Sequence, residues 1–206
     1  GLFAHSAILA ALLHAERTGE GQHLDIALLD AQIAALVNIA SNALVSGQTP
    51  GRYGNAHPSI VPYQTFRAAD GEFALAVGND GQFRQLCALI GREEWGSDPR
   101  FATNPARVAN RVELVRLLND VFAGDSARAW VERSLAVGIP AGPINTVTEI
   151  LADPHVEARE LIHVLDGIPM IGHPVGFSAT PTEIRTPPPA HGQHTAEVLR
   201  EFGLER

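Results

Sequence analysis

Apolar positions along the chain change period several times, and each change marks an element. Leu2 to Arg17 is apolar on most sides, the pattern of a helix covered by other elements. Thr18, Gly19 and Gly21 carry turn chemistry. His23, Leu24, Asp25 and Ile26 then alternate polar with apolar, which predicts a short strand. Leu29, Ile33, Leu36, Val37, Ala40 and Leu44 return to helical spacing and predict one helix over 29–44. Gly47 ends it and Pro50 prevents its resumption. Helix, strand, helix is a piece of an α/β layer.

Two alternating runs flank Ala69-Asp70-Gly71, and Asp-Gly between strands predicts a hairpin. Asn79 is suited to cap a helix whose apolar face is Phe83, Leu86, Cys87 and Ile90, with Gly91 as its stop. Asn104-Pro105 starts another helix, with Val108, Val112, Val115 and Phe122 as its predicted stripe. A third runs from about Ser126 to Val137 and carries Trp130, Val131 and Leu135. "GIPAGPIN" is extended. Thr146 and Glu149 have capping-box spacing, and Asp153-Pro154 opens a further short helix. Short strands broken by Gly167, Pro169, Gly172 and Pro174 are predicted over 161–178. "TPPPAHGQ" reads as a stiff linker and "HTAEVLREFG" as a terminal helix.

Composition narrows the class. The 206 residues are 45% hydrophobic and 18% charged, which suits a globular protein. The net charge is −8 with no Lys/Arg cluster, so neither nucleic acid nor an anionic membrane is an expected partner. Cys87 is the only cysteine, so no internal disulfide can form, and a reducing cytoplasm is the expected location. The chain starts at Gly1, without methionine, inside an apolar run. It lacks the basic start and small-residue cleavage site of a signal peptide. His5, Ser6, His14, Glu16 and Arg17 interrupt any transmembrane span. The abrupt start leads us to expect a fragment whose upstream part lies outside this chain.

Residue pattern alone yields no reaction. There is no P-loop, dinucleotide glycine fingerprint or Gly-x-Ser-x-Gly elbow. Cys87 lies on an apolar helix face and reads as core. His191 and His194 are three apart without an evident carboxylate partner on the same face, so no metal site is expected. Asp25 falls on the polar side of its predicted strand. Asp30 sits in a first helical turn, where its charge suits the helix dipole.

Five ordered segments carry more. "LAALLHAERTGEGQHLDIALLDAQ", "GNAHPSIVPYQTFRAADGEFALAVGNDGQF", "DPRFATNPARVANR", "GIPAGPINTVTEILADPHVEAREL" and "PPPAHGQHTAEVL" resemble the class III CoA-transferases. That family, of CaiB/BaiF type, includes formyl-CoA transferase, and α-methylacyl-CoA racemase is related. The resemblance implies an α/β fold: the C-terminal part of such an enzyme, with a remnant of a Rossmann-like large domain plus a small α/β domain. It implies residues 1–50 as the large-domain remnant, 51–58 as linker or active-site loop, 59–140 as the small domain, and 141–206 as a return segment. It also implies an acyl-CoA and a small carboxylic acid as partners, an interlocked homodimer when full-length, and no permanently bound cofactor. CoA enters as the thioester substrate.

In the resembling enzymes the nucleophile is an aspartate whose carboxylate attacks the thioester and forms a mixed anhydride. CoA thiolate then returns to a second anhydride to complete the transfer. The resemblance puts that aspartate about four positions before Gly1, so no catalytic residue is assigned within this chain. The isolated chain is expected to be inactive. The racemase-like isomerase and a non-catalytic dimerising fragment remain open as alternatives.

One stretch matches a functional segment. Where formyl-CoA transferase-like members have a glycine-rich lid, this sequence has "GNAHPS". Gly54, Asn55, Ala56, His57 and Pro58 are therefore the candidate substrate-binding residues. Asn55 and His57 supply polar groups, and Pro58 restricts the backbone before it. By composition alone the same residues read as a linker whose glycines and prolines shape a turn.

Overall fold

Local signals place most helix ends. The computed structural model describes residues 1–204, and the chain divides into two units, Gly1–Ala56 and His57–Arg206. The division falls inside the 51–58 stretch.

The first unit holds α1 (Leu2–Thr18), α2 (Leu28–Ala34) and α3 (Asn38–Ser46). Gly19 and Gly47 close α1 and α3 in the left-handed conformation. Two expectations fail here. Residues 23–26 form no strand, because a strand needs a ladder partner and no described segment pairs with them. The helix expected over 29–44 is two helices bent by 80°. Val37 adopts φ 46° and interrupts the ladder, and no glycine or proline announces that break. No residue of these helices is buried; Leu28 is 91% exposed. The covering of α1 expected from its apolar faces is therefore not supplied by the described residues. No single helix among them is long and apolar enough to cross a membrane, although α2 and α3 together pass that test by length and composition.

The second unit contains the core. Strands β1 (Tyr63–Arg67) and β2 (Glu72–Ala76) form the predicted hairpin, with Arg67 opposite Glu72. The short strand β3 (Ala141–Pro143) adds antiparallel to β2, giving the order β1-β2-β3. Alternation along β2 buries Phe73 and Leu75. Helices α4 (Asp80–Leu89), α5 (Asn104–Ala109), α6 (Arg111–Phe122) and α7 (Ala127–Ala136) complete this part. Asn79 caps α4 by accepting the Gln82 N–H, as its position predicts, and Ser126 does the same for α7 from Ala129. Phe83, Leu86, Cys87, Leu114, Leu118 and Phe122 join the strand residues in one cluster.

The helix begun at Asn104 breaks at Asn110. The Asn110 Nδ2 donates to the carbonyls of Arg100 and Ala106, competing with the regular helical pattern. The stripe of α6 is consequently Leu114, Leu118 and Phe122, and Val112 is 85% exposed. On α7, Ser134 is buried with Trp130 and Val131, while Leu135, expected in the core, is exposed.

Beyond β3 the chain forms α8 (Val147–Leu151), α9 (Pro154–Ala158), a hairpin of β4 (Ile162–Leu165) and β5 (Ile168–Ile171), and α10 (Thr195–Glu201). Thr146 and Glu149 make the predicted capping box, and the Thr146 N–H holds the Glu149 carboxyl below its usual range. The hairpin turns on Asp166 and Gly167, both at positive φ, the conformation a two-residue loop of this kind requires.

Candidate active-site segment

Gly54, Asn55 and Ala56 belong to the first unit, and His57 and Pro58 to the second. Gly54 sits at φ 60°, where a Cβ would strain the backbone. The Ala56 N–H closes a turn by donating to the Tyr53 carbonyl at 3.0 Å. The five candidate residues are thus consecutive in sequence but split between units.

His57 and Pro58 are held from several sides. The His57 N–H donates to the Tyr63 carbonyl at 2.9 Å, and its ring stacks on the Tyr63 ring with centroids 5.3 Å apart. The Ser59 N–H donates to His57 Nδ1 at 3.1 Å. That acceptor role places the proton of the neutral ring on Nε2. Nε2 has no hydrogen-bond partner among the described residues, so the ring keeps one donor uncommitted.

The next layer consists of residues the sequence reading did not assign. Arg111, at the start of α6, donates from Nη1 to the His57 carbonyl at 2.9 Å and from Nη2 to the Pro58 carbonyl at 2.6 Å. Asn104 spans the following turn: its Nδ2 donates to the Ser59 carbonyl and its Oδ1 accepts the Val61 N–H. Arg107 is fully buried. It donates to the carbonyls of Val61 (2.6 Å) and Phe101 (2.9 Å) and to the Asp80 carboxylate (2.9 Å), and lies over the Phe83 ring. Three side chains within eight residues, Asn104, Arg107 and Arg111, therefore fix the backbone from His57 to Val61. The available signal was "NPARVANR", with two arginines four apart on either side of the break at Asn110.

Each of the other sequence candidates is placed within its own unit. Asp25 and Asp30 are exposed in the first unit. Burial pushes the Cys87 thiol up to about 12, with Arg107 pulling weakly the other way. It stays protonated at neutral pH and is no nucleophile. His194 does have a carboxylate partner, contrary to the sequence reading: Glu197 lies one turn on, with Oε2 3.2 Å from Nδ1, and both are exposed. Among the described residues no three His, Cys, Asp or Glu side chains cluster as metal ligands.

What His57 offers chemically is an imidazole N–H whose ring is held by the Ser59 N–H and the Tyr63 stack. Such a donor can bind a carboxylate or stabilise a developing oxyanion.

Comparison with known proteins adds the family. The model described as CoA-transferase family III matches residues 1–195. The chain is 46% identical to a succinate–glutarate CoA-transferase of Agrobacterium fabrum, over 98% of this chain and 52% of that protein. It is 38% identical to a succinyl-CoA:glutarate CoA-transferase of Mus musculus, over 98% of this chain and 47% of that one. A crystal structure of a CaiB/BaiF family protein from Brucella suis superimposes with a TM-score of 0.79 at 43% identity, covering 98% of this chain and 53% of that one. The chain spans about half the length of the curated relatives it matches.

Proposed function

The chain belongs to CoA-transferase family III, and from that premise we propose that the whole protein moves CoA from an acyl-CoA to a short dicarboxylic acid. The observation that carries this reading is the 46% identity, over 98% of the chain, to a succinate–glutarate CoA-transferase. The nucleophile is an aspartate that precedes the segment matched by this chain. Its carboxylate attacks the thioester, expelling CoA thiolate and forming a mixed anhydride. The thiolate returns to the aspartyl carbonyl and releases the donor acid. The acceptor carboxylate then displaces the thiolate to form a second anhydride. The thiolate opens that anhydride at the acceptor carbonyl to give the new thioester and free aspartate, in a site whose exclusion of water disfavours hydrolysis.

In this reading His57 contributes by donating Nε2–H to an oxygen of the acid or the anhydride. The donor is fixed in advance by the Ser59 N–H on Nδ1 and by the Tyr63 stack. Preorganised donors of this kind act where charge develops.

The direct test incubates the full-length protein with succinyl-CoA and isotopically labelled glutarate. Labelled glutaryl-CoA is the expected product, and the isolated 206-residue chain is expected to give none. Loss of the α-proton without exchange of the acid would replace the transferase reading by the racemase-like one. Turnover by the isolated chain would remove the need for an aspartate outside it.

His57→Ala in the full-length protein is expected to lower kcat by roughly tenfold to hundredfold, the scale of losing one oxyanion donor. Its stability should fall by only about 0.5–1 kcal/mol, from the lost ring stack. Steady-state kinetics and thermal unfolding of the same preparation separate the two. An unchanged kcat would return residues 54–58 to the role of a linker.

A further inference from the structure

The Arg111 guanidinium reaches two successive carbonyls, those of His57 and Pro58, with two nitrogens of one planar group. A single contact would fix a distance. Two contacts from one plane also fix the rotation of the His57–Pro58 peptide, because the fork geometry is rigid. The downstream end is held by Asn104 through Ser59 and Val61. The side chain standing on the clamped backbone is His57, with Nδ1 committed to Ser59 and Nε2 without a partner among the described residues.

We propose that Arg111 is a positioning residue: it clamps the His57 and Pro58 carbonyls so that the His57 ring is presented in a single neutral form with Nε2–H as donor to the substrate. The inference rests on the transferase reading above, but its geometry can be measured without it. Ser59 can donate to Nδ1 only while the backbone between the two residues keeps its turn. Removing the clamp frees the His57–Pro58 peptide to rotate, and the ring then exchanges between Nδ1–H and Nε2–H forms. Lysine at this position cannot reproduce the clamp, because an ammonium is a point donor without a planar fork.

The test compares full-length wild type with Arg111→Lys, Arg111→Met, His57→Ala and the double variant His57→Ala/Arg111→Met. With succinyl-CoA and glutarate, each Arg111 single variant should lose about tenfold or more in kcat, with KM for succinyl-CoA within about twofold, the expected mark of misplacement rather than lost binding. On the His57→Ala background Arg111→Met should change kcat by less than about twofold, since a residue acting through another adds nothing once that one is gone. Nitrogen NMR of labelled histidine should show His57 as the Nε2–H form in wild type and as a mixture in both Arg111 variants. Additive kinetic losses, or an unchanged His57 spectrum in both variants, would overturn the proposal. A wild type that performs no transfer would sink the transferase reading, and the His57 spectrum alone would still decide whether Arg111 sets the ring. Arg111→Lys decides the outcome if Arg111→Met fails to fold.

Discussion

Arg107→Met is expected to destabilise the core of the second unit by about 3–5 kcal/mol, chiefly because two buried carbonyls lose their hydrogen-bond donor. The side chain is fully buried, and its hydrogen-bond partners are the carbonyls of Val61 and Phe101 and the Asp80 carboxylate. The Asp80 side chain is 42% exposed and can be rehydrated, so little of the penalty comes from the broken ion pair itself. Most comes from the two carbonyls left without their donor, at roughly 1–3 kcal/mol each when buried. The Phe83 ring also loses the cation above its face, centred 4.4 Å away. Methionine fills much of the volume but donates no hydrogen bond. Arg107→Lys should recover less than half of the loss, since one ammonium cannot face three acceptors in the guanidinium plane. The measurement is amide hydrogen exchange of β1 and α4 in the full-length protein. An opening free energy within 1 kcal/mol of wild type in Arg107→Met would show that the network is not holding the unit together.

The arginines mark the limit of what the sequence carries. Capping is local, so Asn79, Thr146 and the Asp-Gly hairpin were legible from spacings of two to four residues. The Cys87 face was legible because four apolar positions agreed on one period. Arg107 is different. Nothing within its helix makes it buried; the cause is a carbonyl 46 residues earlier in the chain. The strand expected at 23–26 failed for the same kind of reason, since strand formation depends on a distant partner that alternation cannot supply. The break at Val37 had no glycine or proline to announce it. Within the candidate segment, the sequence named His57 and Pro58, and the structure added what holds them: Tyr63, Asn104 and Arg111. A polar group can be read as available from its type, but which of its nitrogens is already committed is a matter of geometry.

The sharpest separation between pattern and packing lies on α6. Val112 and Phe122 both belonged to the stripe predicted from spacing, yet Val112 is exposed and Phe122 is buried. Phe122→Ala is expected to cost about 3–5 kcal/mol, the usual range for truncating a core aromatic. The upper part of that range is favoured by its surroundings. The ring meets Phe66, Phe73 and Trp130 edge-on, with centroids 5.1 to 5.2 Å apart, and each such pair adds about 0.5–1.5 kcal/mol beyond burial. Alanine would leave a cavity walled by three rigid rings that cannot collapse into it. The Phe122 carbonyl accepts the Trp130 Nε1–H at 2.8 Å, so the indole is anchored in place and cannot swing to fill the space. Val112→Ala should change stability by no more than about 0.5 kcal/mol, as exposed substitutions do. Denaturant unfolding of the two variants beside wild type makes the comparison. Equal losses would mean that α6 does not break from α5 at Asn110 and that Val112 faces the core after all, because the rotation of the stripe is a direct consequence of that break.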